Sequence, residues 1–179
     1  FLRTGTTWAF EKEFVEASAQ AGEAAGSSVA VSGDVVAVGI PIYGNTPPTF
    51  RGAVRFYRWT GSTWTTFNLV TGSTAGERLG TALTQDGGLF AVGSLIKSVA
   101  FFLVSGPNIN FAGDLTNAAF SGFGEVLSLS PTRLVAGLSS YVGAGAALVY
   151  SRSGSTFTSL GIHYPGLVDA GDNVGEAVA

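Results

Sequence analysis

The chain alternates short apolar segments with glycine-bounded turns, and one such pattern returns in the same register. Gly26–Gly39, Gly80–Gly93 and Gly124–Gly137 each begin and end on glycine and span the same interval of 13 residues, and a fourth copy begins at Gly175. Each copy predicts two short antiparallel strands joined by a tight turn. An interval this regular predicts a repeat architecture.

Each repeat is predicted to hold four strands. The second strand, for example Leu89–Val92, is apolar without alternation, which indicates a strand that is covered on both faces. Each third strand carries an aromatic residue near its end, at Tyr57, Phe102 and Tyr150. Each fourth strand begins with an aromatic residue, at Trp64, Phe111 and Phe157. The turn glycines Gly5, Gly61, Gly106 and Gly154 lie 56, 45 and 48 residues apart. The period of about 50 residues is typical of propellers and solenoids.

Four-stranded units whose central strands are buried on both faces predict sheets that stack radially, as in a β-propeller. The alternative is a two-sheet sandwich, which does not require a glycine-bounded hairpin in the same register in every unit. We therefore predict an all-β fold in which 1–179 is one partial β-propeller domain. Its parts are the outer strand of a preceding blade (about Thr7–Val15) with its link in 1–25, three complete blades at 26–71, 80–113 and 124–160, and the inner strand of a next blade at 174–179.

Composition and charge exclude several partners. At 179 residues the chain is long enough for one domain with a sizeable core. Charged residues make up only 12% and the net charge is −3, so no basic patch for nucleic acid is expected. No apolar run approaches the length of a membrane span. The absence of cysteine excludes disulfides and thiolate metal sites. Protein partners, or further copies of the chain, are the expected partners.

The stretch AGSSVAVSGDVVAVGIP, followed by GAVRFYRWTGSTW, resembles the FG-GAP repeat of integrin α-subunit propellers and many microbial surface proteins. The "FG" is intact only at Phe123-Gly124, and the "GAP" reads Gly39-Ile40-Pro41 in the first unit. The resemblance implies an extracellular or cell-surface propeller for adhesion or assembly. Because such propellers have about seven blades, it also implies about half a ring. Either the chain is a segment of a longer polypeptide or filament, which its ragged ends favour, or arcs from separate chains close on one another.

The longest loop, Pro41–Arg51, breaks the symmetry of the repeat and is the better candidate for binding. Its candidate residues are Tyr43, Asn45, Phe50 and Arg51. The alternative is a surface excursion made rigid by its prolines, and the sequence favours neither.

In three links an acidic residue lies three positions before the repeat glycine, at Glu23, Glu77 and Asp172. In the third copy Ser121 occupies this position. These carboxylates would either ring the central axis and bind a cation or a basic or hydroxylated partner, or cap backbone N–H groups of their own turns. Repetition from blade to blade favours capping, because binding sites usually break symmetry.

Metal binding and catalysis are not predicted. Many FG-GAP blades bind calcium through an Asp-x-Asp-x-Asp-Gly type of loop, and this sequence has none, so we predict no cofactor; Asp169 and Asp172 are the nearest calcium candidates. His163 is the only histidine, and no nucleophile motif or pair of carboxylates accompanies it. The chain is therefore predicted to be non-enzymatic.

Two other functions remain open. A glycan-binding, lectin-type propeller would use exposed aromatic side chains such as Trp8, Trp59 or Trp64 as stacking platforms, although at repeated positions Trp8 and Trp64 would rather pack between blades. The chain would otherwise be an accessory domain of a larger secreted enzyme, with the catalytic residues elsewhere.

Overall fold

The computed structural model describes residues 1–15, 20–44, 50–96, 98–117, 119–120, 122–139, 141–164 and 172–179. Within these ranges the chain forms one hairpin and three four-stranded antiparallel sheets. The hairpin consists of β1 (Leu2–Thr4) and β2 (Thr7–Ala9). The first sheet consists of β3 (Val29–Ser32), β4 (Val35–Ile40), β5 (Ala53–Trp59) and β6 (Trp64–Thr71). The second consists of β7 (Leu83–Asp86), β8 (Leu89–Ser94), β9 (Ser98–Ser105) and β10 (Asn108–Thr116). The third consists of β11 (Val126–Leu129), β12 (Arg133–Leu138), β13 (Ala146–Ser153) and β14 (Thr156–His163).

The all-β prediction and the four-stranded units are confirmed. In each sheet the strands pair in chain order, so every unit is an antiparallel meander. The second and third units run past the predicted ends at 113 and 160, because Thr116 still pairs with Ser98 and His163 with Ala147. No helix in the described part of the chain is long and apolar enough to cross a membrane.

The second sheet corrects the predicted position of one aromatic residue. Trp64 pairs with Trp59, and Phe157 pairs with Arg152, next to the turn in each case. At this position of the second sheet Ile109 pairs with Val104. Phe111 lies two residues further along and pairs with Phe102. Spacing from the turn glycine alone does not fix the hydrogen-bonded register, because loop residues are counted with strand residues.

The two ends of the chain contain less strand than predicted. The hairpin around Gly5 is formed, but its second strand ends at Ala9 and does not reach Val15. Among residues 172–179 no strand is formed, so the inner strand expected at 174–179 is absent. Val174 makes an isolated parallel bridge with Gly145.

The three sheets stack face to face, and the second sheet is buried on both sides. Phe90 and Val92 of β8 join a core shared with the first sheet. Leu89 and Ala91 join a second core, shared with the third sheet. Because side chains alternate along a strand, a strand between two neighbouring sheets must be apolar at every position. The prediction made from the unbroken apolar run of Leu89–Val92 is confirmed.

The repeated glycines lie where the backbones of neighbouring sheets meet. A Cβ atom on Gly39 would overlap the carbonyl oxygen of Gly80 in the next link, and Ser28 Oγ donates to that same oxygen at 2.8 Å. The same close approach joins Gly93 to Gly124 and Gly137 to Gly175. The absence of a side chain at these glycines therefore allows the backbones of adjacent sheets to approach closely.

Candidate functional site

Links between sheets and the loops that connect second to third strands share one end of the stack, which we call the link rim. The parallel bridge between Gly52 and Leu79 joins the two kinds of segment there. The Leu79 N–H donates to the Arg51 carbonyl at 2.9 Å, and the Arg78 N–H donates to the Phe50 carbonyl at 3.3 Å. The tight turns occupy the opposite end, the turn rim, because strands of a meander reverse direction at each connection.

Glu23 and Glu77 are buried in the link rim. The Glu77 carboxylate accepts the backbone N–H groups of Ser73 at 2.6 Å and Thr74 at 2.9 Å. The Glu23 carboxylate accepts those of Gln20 at 2.9 Å and Gly44 at 3.2 Å. This is the geometry of the capping alternative. Buried carboxylates that hold their own backbone are poorly placed to receive an outside ligand.

The remaining link candidates are only partly described by the structure. Asp172 is exposed, and Asp169 and Ser121 lie outside the described residues. Among the residues that the structure describes, no three His, Cys, Asp or Glu side chains come together as a metal site would require. His163 lies at the end of β14 and is exposed.

The base of the long loop is held by a hydrogen bond and by packing of its side chains. The Gly52 N–H donates to the Tyr43 carbonyl at 3.3 Å, and the Tyr43 and Phe50 side chains are half-buried. The Arg78 guanidinium lies 5.4 Å from the centroid of the Phe50 ring, a contact that the loop sequence did not indicate. Arg51 is exposed, and Asn45 lies outside the described residues. The described part of the loop therefore packs on the following link at Phe50 and is hydrogen-bonded to the preceding link at Gly44.

Both ends of the stack present a largely apolar face, which also carries one arginine, Arg55 on the first sheet and Arg133 on the third. Ala30, Val35 and Ala37 of the first sheet turn into the first core, so the alternate positions point outward. We call these the N-terminal face: Val29, Val31, Val36 and Val38. Val29 and Val31 are 64% and 58% exposed. On the third sheet the C-terminal face includes Val126, Val135, Ala147 and Val149, all half-buried, and the exposed Arg133 lies on the same side.

The segment that follows the hairpin covers part of the first sheet. The Phe14 ring lies 4.5 Å from the Tyr57 ring and 5.3 Å from the Trp64 ring, measured between centroids. As a result Tyr57 is only 6% exposed. The valines of the N-terminal face lie nearer the inner strand and stay open.

A cleft opens on the turn rim of the first sheet, which we call the tryptophan cleft. Its lining consists of Leu2, Glu11, Gly33, Asp34, Trp59 and Trp64, and its volume is about 420 Å³. The two indole rings lie 5.6 Å apart and are inclined at 49°. Trp64 Nε1 donates to Glu11 Oε1 at 3.3 Å. The Asp34 carboxylate is half-exposed and lies 3.5 Å from Arg58 Nε.

The other aromatic candidates lie in unlike environments. Trp8 is 62% exposed, and the Arg3 guanidinium lies 5.9 Å from its ring centroid. Phe111 is 63% exposed, whereas Phe157 stacks on Phe101 of the neighbouring sheet. These side chains do not form an equivalent exposed platform on each described sheet.

Comparison with known proteins yields a likeness of fold. No family model matches the chain, and no curated protein matches it. Among solved structures it is similar to Sqt1 of Saccharomyces cerevisiae, with a TM-score of 0.50 and 9% identity over 79% of this chain and 36% of Sqt1. Another is the computationally designed Ika4 protein, with a TM-score of 0.46 and 14% identity over 86% of this chain and 100% of that chain. The chain thus spans about a third of the length of Sqt1, and at this identity the likeness concerns the fold alone.

Proposed function

We propose that the chain is an arc of an FG-GAP-type β-propeller that serves as a non-enzymatic extracellular or cell-surface module for adhesion or assembly. The observation that supports the proposal is that positions buried between the sheets are exposed or only half-buried at the two ends of the stack. Its contacts are with protein: a further sheet of the same type, from a longer polypeptide or from a second copy.

The N-terminal face corresponds to buried positions elsewhere in the chain. Val29 stands at the same offset from its repeat glycine as Leu83 and Leu127. Leu83 packs against the core between the first two sheets, and Leu127 against the core between the last two. Val29 is 64% exposed because none of the described four-stranded sheets lies on its side.

The C-terminal face corresponds to the opposite side of the same interface. Val149 stands at the position of Phe56 and Phe101, one residue before the aromatic of each third strand. Phe56 is 0% exposed and Phe101 is 1% exposed, each packed into a core with the following sheet. This interface is formed twice within the chain. In the first case the face that bears Phe56 packs on the face that bears Leu83, and in the second the face that bears Phe101 packs on the face that bears Leu127. The two open faces are therefore a matching pair.

Open apolar faces of this kind are costly in water and mark interaction surfaces. Burying one valine side chain contributes about 1.5 kcal/mol or more, so a sheet that covers four such positions is favoured. The low charged content, 12% of residues, also suits a surface that packs into a larger assembly.

The test is sedimentation velocity on the chain and on two single variants. Val31→Asp places a charge on the N-terminal face, and Val149→Asp places one on the C-terminal face. We expect the unchanged chain to associate with rising concentration and each variant alone to associate less. An equimolar mixture of the two variants should form a discrete dimer, because each retains the face that the other has lost.

Val142→Asp is the matched control, since Val142 is 81% exposed and lies on neither face. It should associate like the unchanged chain. Circular dichroism would show that every variant keeps its strands. A chain that stays monomeric at all concentrations, or a mixture that forms no dimer, would rule out stacking through these faces.

A lectin with one glycan site on each sheet has less support. It requires exposed aromatic side chains at equivalent positions, whereas Trp64 packs against Phe14 and Phe157 packs against Phe101.

A further inference from the structure

The tryptophan cleft has a lining that differs from that of the groove between the second and third sheets, and this difference points to a ligand. It combines the two indole rings of Trp59 and Trp64 with the carboxylates of Glu11 and Asp34 and the apolar side chain of Leu2. We propose that it binds an alkylammonium group, either the lysine side chain of a partner protein or a quaternary ammonium compound. This inference is independent of the stacking of the end faces.

Trp59 and Trp64 form the cross-strand pair next to the turn of the first sheet, and the hairpin has a different pair at the same position. In the hairpin the pair is Arg3 and Trp8, and the Arg3 guanidinium lies 5.9 Å from the Trp8 ring centroid. In the first sheet the pair is Trp59 and Trp64, so a second indole stands where the hairpin has its arginine. A cation from outside would occupy the place that Arg3 fills in the hairpin. Tryptophan is the aromatic side chain that attracts cations best.

The groove between the second and third sheets supplies its own cation. It is lined by Gly87, Leu89, Leu103, Gly154 and Ser155 together with Arg152. Arg152 Nη1 lies 2.7 Å from Asp86 Oδ2, so the acid of the neighbouring sheet is already neutralised. Arg152 stands at the strand position of Trp59. In the tryptophan cleft the lining residue at that position carries no charge.

The charges of the cleft favour a cation. Glu11 and Asp34 bring two negative charges, and the nearby Arg58 brings one positive charge. The Arg58 guanidinium also lies 3.8 Å from the centroid of the Phe67 ring, which fixes it on its own sheet. The lining side chains and Arg58 together therefore carry one net negative charge.

The hydrogen-bonding groups of the lining favour an ammonium over a sugar. The lining side chains offer carboxylate acceptors and π faces, and their only N–H donors are the two indoles. Trp64 already donates to Glu11. An alkylammonium brings donors or a diffuse positive charge together with an apolar stem, whereas a sugar also brings oxygen acceptors that would need donors.

The binding experiment is a nuclear magnetic resonance titration that follows the indole N–H signals of the ¹⁵N-labelled chain. Choline and N-acetyl-lysine methylamide are the two cationic probes, 3,3-dimethylbutanol is the neutral isostere of choline, and methyl glucoside is the sugar. We expect saturable shifts of the Trp59 and Trp64 signals with a cationic probe, and an unmoved Trp8 signal. The neutral isostere should bind more weakly than choline by roughly tenfold or more. Stronger binding of choline would point to a quaternary ammonium compound, and stronger binding of the lysine probe to a protein side chain.

Variants test the assignment of the site. Trp59→Arg gives the first sheet the arginine that the hairpin and the third sheet have, and should abolish binding while the chain stays folded. Glu11→Gln and Asp34→Asn combined should weaken binding roughly tenfold, whereas the exposed control Asp114→Asn should leave it unchanged. The proposal would be overturned by no shift with either cation, by an equal response to the neutral isostere, by a response to the glucoside alone, or by undiminished binding in Trp59→Arg.

Discussion

Phe157 of the third sheet stacks on Phe101 of the second, with ring centroids 4.2 Å apart and ring planes inclined by only 17°. Phe101 lies on the third strand of its sheet, whereas Phe157 lies on the outermost strand of the next. The interface between sheets therefore extends beyond the inner strands, where the repeated glycines meet. Aromatic pairs of this kind contribute more than their buried area alone.

Removal of this contact should destabilise the stack. Phe101 is 1% exposed, so Phe101→Ala is expected to lower the free energy of unfolding by about 3–5 kcal/mol. Phe111→Ala, at a ring that is 63% exposed, should cost much less and is the control. Denaturant unfolding monitored by circular dichroism measures both. Equal costs for the two variants would mean that the second core does not depend on the stacked pair.

The glycine pairs between sheets should not tolerate a side chain. Gly39→Ala would place a Cβ atom against the carbonyl oxygen of Gly80, a backbone atom that cannot move without its sheet. We expect a loss of about 3 kcal/mol or more, because overpacking against backbone is relieved only by shifting both sheets. Thermal unfolding provides the measurement.

Gly33→Ala is the control for that substitution, because no atom lies within 4 Å of the position that a Cβ atom would take there. Its φ of +56° makes alanine somewhat strained, so a cost of about 1 kcal/mol is expected. A melting temperature for Gly39→Ala equal to that of Gly33→Ala would contradict the role given to the glycine pairs.

The elements that were predicted correctly are those that the repeat determines. Unbroken apolar strands such as β8 require a neighbour on each side, and the interval from Gly80 to Gly93 follows from backbone packing. The tryptophan cleft could not be predicted from the sequence, because Glu11 and Trp64 are 53 residues apart and the path of the N-terminal segment does not follow the repeat. The rim acids were ambiguous for another reason. A carboxylate that caps a link and one that faces the axis have the same spacing in sequence, and only burial separates them.

The pKa of Tyr141 should depend on its neighbour Tyr164. Burial, followed by the charge and hydrogen bond of Tyr164, raises the pKa of Tyr141 above its usual value of 10.0. Because the pKa is higher in the folded chain, this tyrosine stabilises the fold fully below pH 10.0, and the contribution is lost as the pH rises through the folded value. Tyr164→Phe should lower the Tyr141 pKa toward its usual value, as measured by tyrosinate absorbance. An unchanged Tyr141 pKa in Tyr164→Phe would show that the two hydroxyls are not coupled.

The ion pair between Arg152 and Asp86 should stabilise the contact between the second and third sheets. Arg152 Nη1 donates to Asp86 Oδ2 at 2.7 Å and to the Ser130 carbonyl at 2.8 Å, while its Nε donates to the Gly154 carbonyl at 2.8 Å. The two side chains are only 9% and 28% exposed, so solvent screens the pair weakly. Asp86→Asn is expected to cost about 1–3 kcal/mol, because a largely buried guanidinium loses its counter-charge.

Arg152→Lys should cost a comparable amount, since one ammonium cannot reach all three acceptors in the planar arrangement of the guanidinium. Asp34→Asn is the matched control. Its distance to Arg58 is 3.5 Å and its side chain is 56% exposed, so we expect a loss of no more than about 0.5 kcal/mol. Denaturant unfolding at low and high salt distinguishes the two pairs, because the exposed pair should be screened and the buried one largely not. If Asp86→Asn and Asp34→Asn cost the same at both salt concentrations, the Arg152 pair would be an ordinary surface contact that contributes little to the packing of the two sheets.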